Sequence, residues 1–249
     1  MEYKKTGSGS KAFVLISGIG MTSVLPAIDS VGKMYKKLLD EYTLYLFDRA
    51  EVLPDGYSIS DMASEIKAAL DIENVKSCVV TGMSQGGMIA QEFAITNPSM
   101  VEKLIICSSC SAPTSVAIDT LNLWKTLASS YDVVGLNRSF ADRVYTDTFR
   151  NLFATYLKEH EADGTKEQCD RFVKLIDSCS TFDVTARLNQ IKCPVLVLGA
   201  NEDKVVGKEG PLTTASLLSC EIYMYENYGH AVYDEAPDFV DRIVKFVRG

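Results

Sequence analysis

Short apolar runs rich in β-branched residues alternate along most of this chain with stretches whose apolar positions recur every three to four residues. Ala12 to Ile16, Tyr42 to Phe47, Lys76 to Thr81, Val101 to Cys107, Pro194 to Leu198 and Glu221 to Tyr225 read as strands, and Glu2 to Thr6 as a short edge strand. The helical periods are Ser23 to Leu39, interrupted near Pro26, then a helix capped by Ser58 or Ser60 running to about Leu70, then Met88 to Asn97. Pro211 to Leu218 and Pro237 to Val247 supply two more. Such alternation predicts an α/β fold with a mainly parallel sheet covered by helices on both faces.

From about Ser111 to Arg187 the alternation fails and the pattern is helical without a convincing strand. The expected organisation is a core in two parts, residues 1–110 and 188–249, with residues 111–187 inserted as a helical cap. Tyr145, Phe149, Phe153 and Tyr156 recur there at helical spacing. They either pack the cap or line an apolar pocket, and packing is the reading taken.

Composition narrows the class. A chain of 249 residues with 47% hydrophobic and 23% charged residues is ordinary globular protein and buries a large core. The net charge of -8 and the absence of a Lys/Arg cluster argue against a nucleic-acid partner; Lys33, Lys36 and Lys37 fall on one solvated helix face. The first apolar run, residues 12 to 16, is too short for a signal peptide or a membrane span. Seven cysteines, an odd number widely spread, predict reduced thiols and a cytoplasmic chain. Cys107-Ser-Ser-Cys110 has the spacing of a redox or metal pair, but it lacks a second pair and Cys107 ends a strand of core character. No metal site and no cofactor is implied. No heptad run calls for a homodimer, and the oligomeric state is left open.

The chemistry centres on Thr81-Gly82-Met83-Ser84-Gln85-Gly86-Gly87, which places Ser84 on a turn between a predicted strand and a predicted helix. Glycines at 82, 86 and 87 let strand and helix approach, and the following helix aims the positive end of its dipole at the serine oxygen. A serine hydroxyl needs a base to take its proton, and histidine titrates in the right range. Only two are present. His160 lies in the charged run Lys158 to Asp163 and belongs to solvent, whereas His230 follows the last strand. Asp203, in the loop after the penultimate strand, is the candidate to orient the imidazole, with Glu202 as the second choice.

The order Ser84, Asp203, His230, each at the carboxyl end of a predicted strand, together with Gly199-Ala-Asn-Glu-Asp203 and Tyr228-Gly-His230, resembles the α/β-hydrolases over nearly the full chain. The resemblance implies a three-layer α/β-hydrolase fold and an oxyanion hole of two backbone N–H groups, here those of Gln85 and Ile19. The family usually carries His-Gly before the second donor; this chain has Ser17-Gly18, so the contacts supporting that loop are expected to differ. It also implies one more N-terminal strand than the short start of this chain supplies. Asp48-Arg49, beside the pocket, reads as a structural ion pair or cap rather than a substrate ligand. Haloalkane dehalogenases and epoxide hydrolases carry aspartate at the elbow, where Ser84 stands here.

The expected function is therefore that of a serine hydrolase acting on a small to medium ester or related acyl compound through an acyl-enzyme. Esterase, lactonase, thioesterase and perhydrolase are all compatible. A small-molecule receptor or scaffold on the same fold, and carbon–carbon hydrolase or lyase chemistry, are the alternatives.

Overall fold

The computed structural model describes residues 1–249. Its seven strands are β1 (Glu2–Thr6), β2 (Lys11–Ile16), β3 (Tyr42–Asp48), β4 (Cys78–Met83), β5 (Val101–Cys107), β6 (Val195–Ala200) and β7 (Glu221–Tyr225). They form one sheet in the order β1-β3-β2-β4-β5-β6-β7. β1 runs antiparallel to β3, and every other pair is parallel. Both faces are buried. Val14, Ile16, Val80, Ile106 and Val197 join one core, and Phe13, Leu15, Val79, Ile105 and Leu198 the other, so the central strands carry continuous apolar runs.

Helices cover each face. α1 (Ile28–Met34) and α11 (Phe239–Arg248) lie on one; α2 (Ile59–Ile72) and α3 (Gln85–Thr96) lie on the other. In α11, Phe239, Ile243, Val244 and Val247 recur at helical spacing and are buried, each worth about 1.5–3 kcal/mol against exposure. Ser58 rather than Ser60 caps α2. The Ser58 hydroxyl accepts from Asp61 N at 3.1 Å while the Asp61 carboxylate accepts from Ser58 N at 2.9 Å, a closed capping box.

Between β5 and β6 the chain carries α4 (Ser115–Ser129), α5 (Val133–Val144), α6 (Asp147–Leu152), α7 (Ala154–Glu159) and α8 (Lys166–Ser180), with no strand. Trp124 of α4 stacks on Phe140 of α5 at 5.0 Å and packs against Phe172 of α8. α9 (Glu209–Leu218) and the short α10 (Val232–Glu235) complete the fold around β6 and β7.

Several expected limits shift. The helix expected over 23–39 is a 3-10 turn at Leu25–Ala27 followed by α1, and beyond Met34 the bonds tighten to i→i−3, as in Leu38 N to Tyr35 O at 2.9 Å. The elbow strand is Cys78–Met83 rather than Lys76 to Thr81, and α3 starts at Gln85 rather than at Met88, where the apolar period begins after Gly86 and Gly87. Tyr145, Phe149, Phe153 and Tyr156 do not share one helix: they sit at the end of α5, in α6, between α6 and α7, and in α7. The first three still form a ladder, with ring centroids 4.6 and 4.5 Å apart.

Candidate active site

β4 delivers Ser84 at the carboxyl edge of the sheet with φ 53° and ψ -121°, a conformation that strains any residue with a β-carbon. The glycines around it permit the turn. A Cβ on Gly82 would lie 2.1 Å from the Gly86 carbonyl oxygen, and one on Gly86 would lie 2.2 Å from the Ile16 oxygen. Ser84 is the N-cap of α3, so the unpaired first-turn N–H groups, Gln85 among them, open beside it.

The parallel register sets Ile16 of β2 opposite Gly82 of β4, which brings the loop 17–20 alongside the elbow. The approach is close: a Cβ on Gly18 would sit 3.2 Å from Ser84 Cβ and 3.9 Å from its Oγ. Asp48 and Arg49, at the end of β3, are both buried and form an ion pair at 3.4 Å, as expected of a structural pair. Their further contacts are with the loop. Arg49 Nη1 donates to the Ser17 carbonyl at 2.7 Å and Nη2 to the Gly18 carbonyl. In a trans peptide the C=O and the following N–H point in opposite directions, so holding the Gly18 carbonyl fixes where the Ile19 N–H points. Ser17 Oγ donates to the Phe47 carbonyl at 3.2 Å, and Asp48 Oδ2 accepts from Val24 N at 2.8 Å. These are the supporting contacts of a loop that carries serine at position 17.

Asp203 and His230 meet directly. His230 Nδ1 lies 2.8 Å from Asp203 Oδ2, with both side chains buried. Asp203 Oδ1 accepts from Val205 N at 2.7 Å and Val206 N at 2.9 Å, so one oxygen anchors the carboxylate to its loop and leaves the other for the imidazole. Glu202 is exposed and has no part in this contact. His160 is also exposed and pairs with Asp163 at 2.6 Å. Ser84 shares the sheet edge with the Asp203–His230 pair, but its Oγ is not hydrogen-bonded to His230; such bonds often tighten only with substrate bound.

Cys107 and Cys110 are free, buried, and belong to the two opposite cores, which separates them as a redox pair. Burial pushes both thiols up, that of Cys110 to about 12.

Helices of the insertion touch every loop of the site through polar bonds that no local motif announces. The Gln85 side-chain amide donates to the Leu175 carbonyl at 3.0 Å and to Ser178 Oγ at 3.1 Å in α8. Arg171 of α8 donates to the carbonyls of Gly20, Arg49 and Ala50. Thr120 and Arg143 both donate to the Lys204 carbonyl, next to Asp203. Ala231 N donates to the Val144 carbonyl at 2.9 Å, next to His230. The one sequence signal was Arg171 itself, an arginine beside Phe172 on a face otherwise formed by Leu175, Ile176 and Cys179.

A cleft of about 690 Å³ lies between α5–α7 and residues 20–22, with Phe140, Tyr145, Tyr156 and Leu157 among its walls. It adjoins a second space of about 330 Å³ lined by Gly18, Ile19, Met83, Tyr233 and Asp234, the two sharing Gly20 and Thr22. Asp234 is open to solvent, yet the surrounding protein desolvates its carboxyl and pushes it up to about 6, against the opposing hydrogen bond from Tyr145 Oη, with Glu235 adding to the rise. An unfolded aspartate titrates near 4, so the folded chain binds this proton more tightly. Stability is therefore expected to fall as pH rises from about 4 to about 6. Asp234→Asn should remove that component from a plot of thermal midpoint against pH; parallel curves for the two proteins would refute the assignment.

Residues 11–237 match the family described as alpha/beta hydrolase fold, and the chain belongs to it. It is thus an α/β hydrolase by class. Among curated proteins it is similar to RutD of Pseudomonas syringae pv. syringae (strain B728a), whose name gives a provisional carbamate hydrolase activity. The two are 26% identical over 227 residues, covering 88% of this chain and 86% of that one. RutD of Serratia proteamaculans (strain 568), named likewise, is 26% identical over 255 residues, covering 93% and 88%. Among solved structures, MGS-M2, an alpha/beta hydrolase enzyme from a Medee basin deep-sea metagenome library, superposes with a TM-score of 0.89 at 20% identity, covering 100% of this chain and 94% of that one. The enol-lactonase from Burkholderia xenovorans LB400 gives 0.82 at 16% identity, covering 100% and 96%. At these identities the solved structures establish the fold alone. No helix is long and apolar enough to cross a membrane.

Proposed function

We propose that this chain is a serine hydrolase that cleaves an ester or related acyl bond of a small to medium substrate, with the helical insertion as its cap. The observation that carries the reading is the buried Asp203–His230 pair, set at the same sheet edge as the strained Ser84. With Nδ1–H donated to Asp203, His230 keeps Nε2 as the basic nitrogen. Ser84 Oγ attacks the acyl carbon and its proton passes to Nε2. The Ile19 and Gln85 N–H groups stabilise the tetrahedral oxyanion. Collapse expels the leaving group, which takes the proton from His230, and the acyl group stays on Ser84. Water then adds with His230 again as base, releasing the acid and restoring Ser84.

The cleft volume falls within the range of small-molecule sites, and its walls come mostly from the cap, facing residues 20–22 beside the Ile19 loop, so the cap is expected to select the substrate. The name of the RutD relatives adds carbamates to the acyl compounds to be tried. The test is hydrolysis of p-nitrophenyl esters from acetate to laurate together with a p-nitrophenyl carbamate, using wild type and Ser84→Ala. Turnover that peaks at one acyl size and is lost in the variant supports the reading. Equal, negligible rates from both proteins reject it in favour of a receptor or lyase.

A further inference from the structure

From the contacts of α8 we infer that Arg171 is a positioning residue for oxyanion stabilisation, holding the Ile19 loop in place from the cap; this rests on the serine hydrolase reading. Arg171 is 7% exposed, and its guanidinium spends its hydrogen bonds on main-chain carbonyls. Nε donates to Ala50 O at 2.9 Å, Nη1 to Gly20 O at 3.0 Å and Nη2 to Arg49 O at 3.0 Å. Burying a cation among neutral carbonyls is costly, and the planar fork is the side chain that can bridge three of them at once.

The three acceptors define what the bridge does. Gly20 follows the oxyanion donor Ile19, and Arg49 is the residue whose own side chain holds the Ser17 and Gly18 carbonyls. With Arg49 on one side and Arg171 on the other, the carbonyls of residues 17, 18 and 20 are all held, and the Ile19 N–H between them loses its freedom to rotate. The second donor is tied to the same helix, because the Gln85 side chain bonds to Leu175 O and Ser178 Oγ one and two turns beyond Arg171. α8 therefore sets the spacing between the two arms of the oxyanion hole. An oxyanion donor acts only when fixed where charge develops, so loosening one arm should weaken the transition state while leaving ground-state binding nearly unchanged.

Arg171→Met removes the bridge, and Arg171→Lys keeps the charge but concentrates its donors on one nitrogen that cannot reach three carbonyls together. Each is compared with wild type, per active site titrated, on the p-nitrophenyl ester that wild type turns over best. The expected result is a fall in kcat of about 10- to 100-fold with KM within about twofold. Affinity for a trifluoromethyl ketone, whose hemiketal oxyanion occupies the hole, should fall by a similar factor, while affinity for the matching methyl ketone holds. Lysine should recover little of the loss, and it provides the measurement if the methionine variant does not fold. A folded variant with unchanged kcat per site and unchanged trifluoromethyl ketone affinity, even with a lowered melting temperature, overturns the inference and leaves the hydrolase reading standing. Absence of turnover and of ketone binding in wild type overturns both.

Discussion

Ser84→Ala is expected to lower hydrolysis of a turned-over p-nitrophenyl ester by about 10⁴-fold or more, the scale on which removing an activated nucleophile acts. No cysteine is poised to replace it: Cys78, Cys107 and Cys110, the closest in sequence, are buried with thiols pushed up by that burial. Stability should move the other way in a companion variant. Ser84 is held at φ 53° and ψ -121°, a conformation that costs a residue with a β-carbon about 1–3 kcal/mol and costs glycine little. Ser84→Gly is thus expected to be as inactive as the alanine variant and more stable by about 1 kcal/mol or more, measured by urea denaturation. An inactive variant with no stability gain would locate the strain elsewhere; an active one would remove Ser84 from the mechanism.

The second large effect is expected at Asp203. In Asp203→Asn, keeping the two bonds from Val205 N and Val206 N places the amide oxygen at the Oδ1 position and turns the NH₂ toward His230. A donor then faces Nδ1, and the imidazole answers by carrying its proton on Nε2, the nitrogen that must accept from Ser84. Flipping the amide would sacrifice both backbone bonds, so the wrong tautomer should persist. The expected loss in kcat/KM is about 10⁴-fold. Glu202→Gln, one residue away and exposed, should stay within about twofold of wild type. Reversed results would make Glu202 the orienting acid.

The legible parts of this site are those whose chemistry is local. Ser84 announces itself through glycines that a sharp strand-to-helix turn demands, and Asp203 and His230 through their places after β6 and β7. The sequence already favours Asp203 over Glu202, and it is Asp203 that lies against His230 while Glu202 faces solvent. Strand limits came close where apolar runs mark buried strands, as in β5, and β7, mostly unburied, also falls where the pattern put it. The partners of Arg171, Arg143 and Thr120 were illegible. Their acceptors are main-chain carbonyls of Gly20, Arg49, Ala50 and Lys204, a group every residue carries, far away in the chain, so no spacing or residue type identifies the partner. The same limit hid the role of Arg49: its identity as one half of an ion pair was readable, its hold on the Ser17 and Gly18 carbonyls was not.

Together these bonds tie the helical insertion to the elbow, the Ile19 loop, the acid loop and the histidine loop. On the proposed reading, different helices of the insertion serve substrate selection and the alignment of the reacting groups. Substitutions in α8 are expected to change rate, and substitutions in the cleft walls of α5–α7 to change preference.

The most direct measurement is labelling of the native protein by a fluorophosphonate, followed by intact mass and peptide mapping. The expected result is one adduct per chain, on Ser84, abolished in His230→Ala because the serine then lacks its base. An unlabelled wild-type protein, or an adduct on any other residue, would contradict the assignment of Ser84 as an activated nucleophile and with it the hydrolase reading.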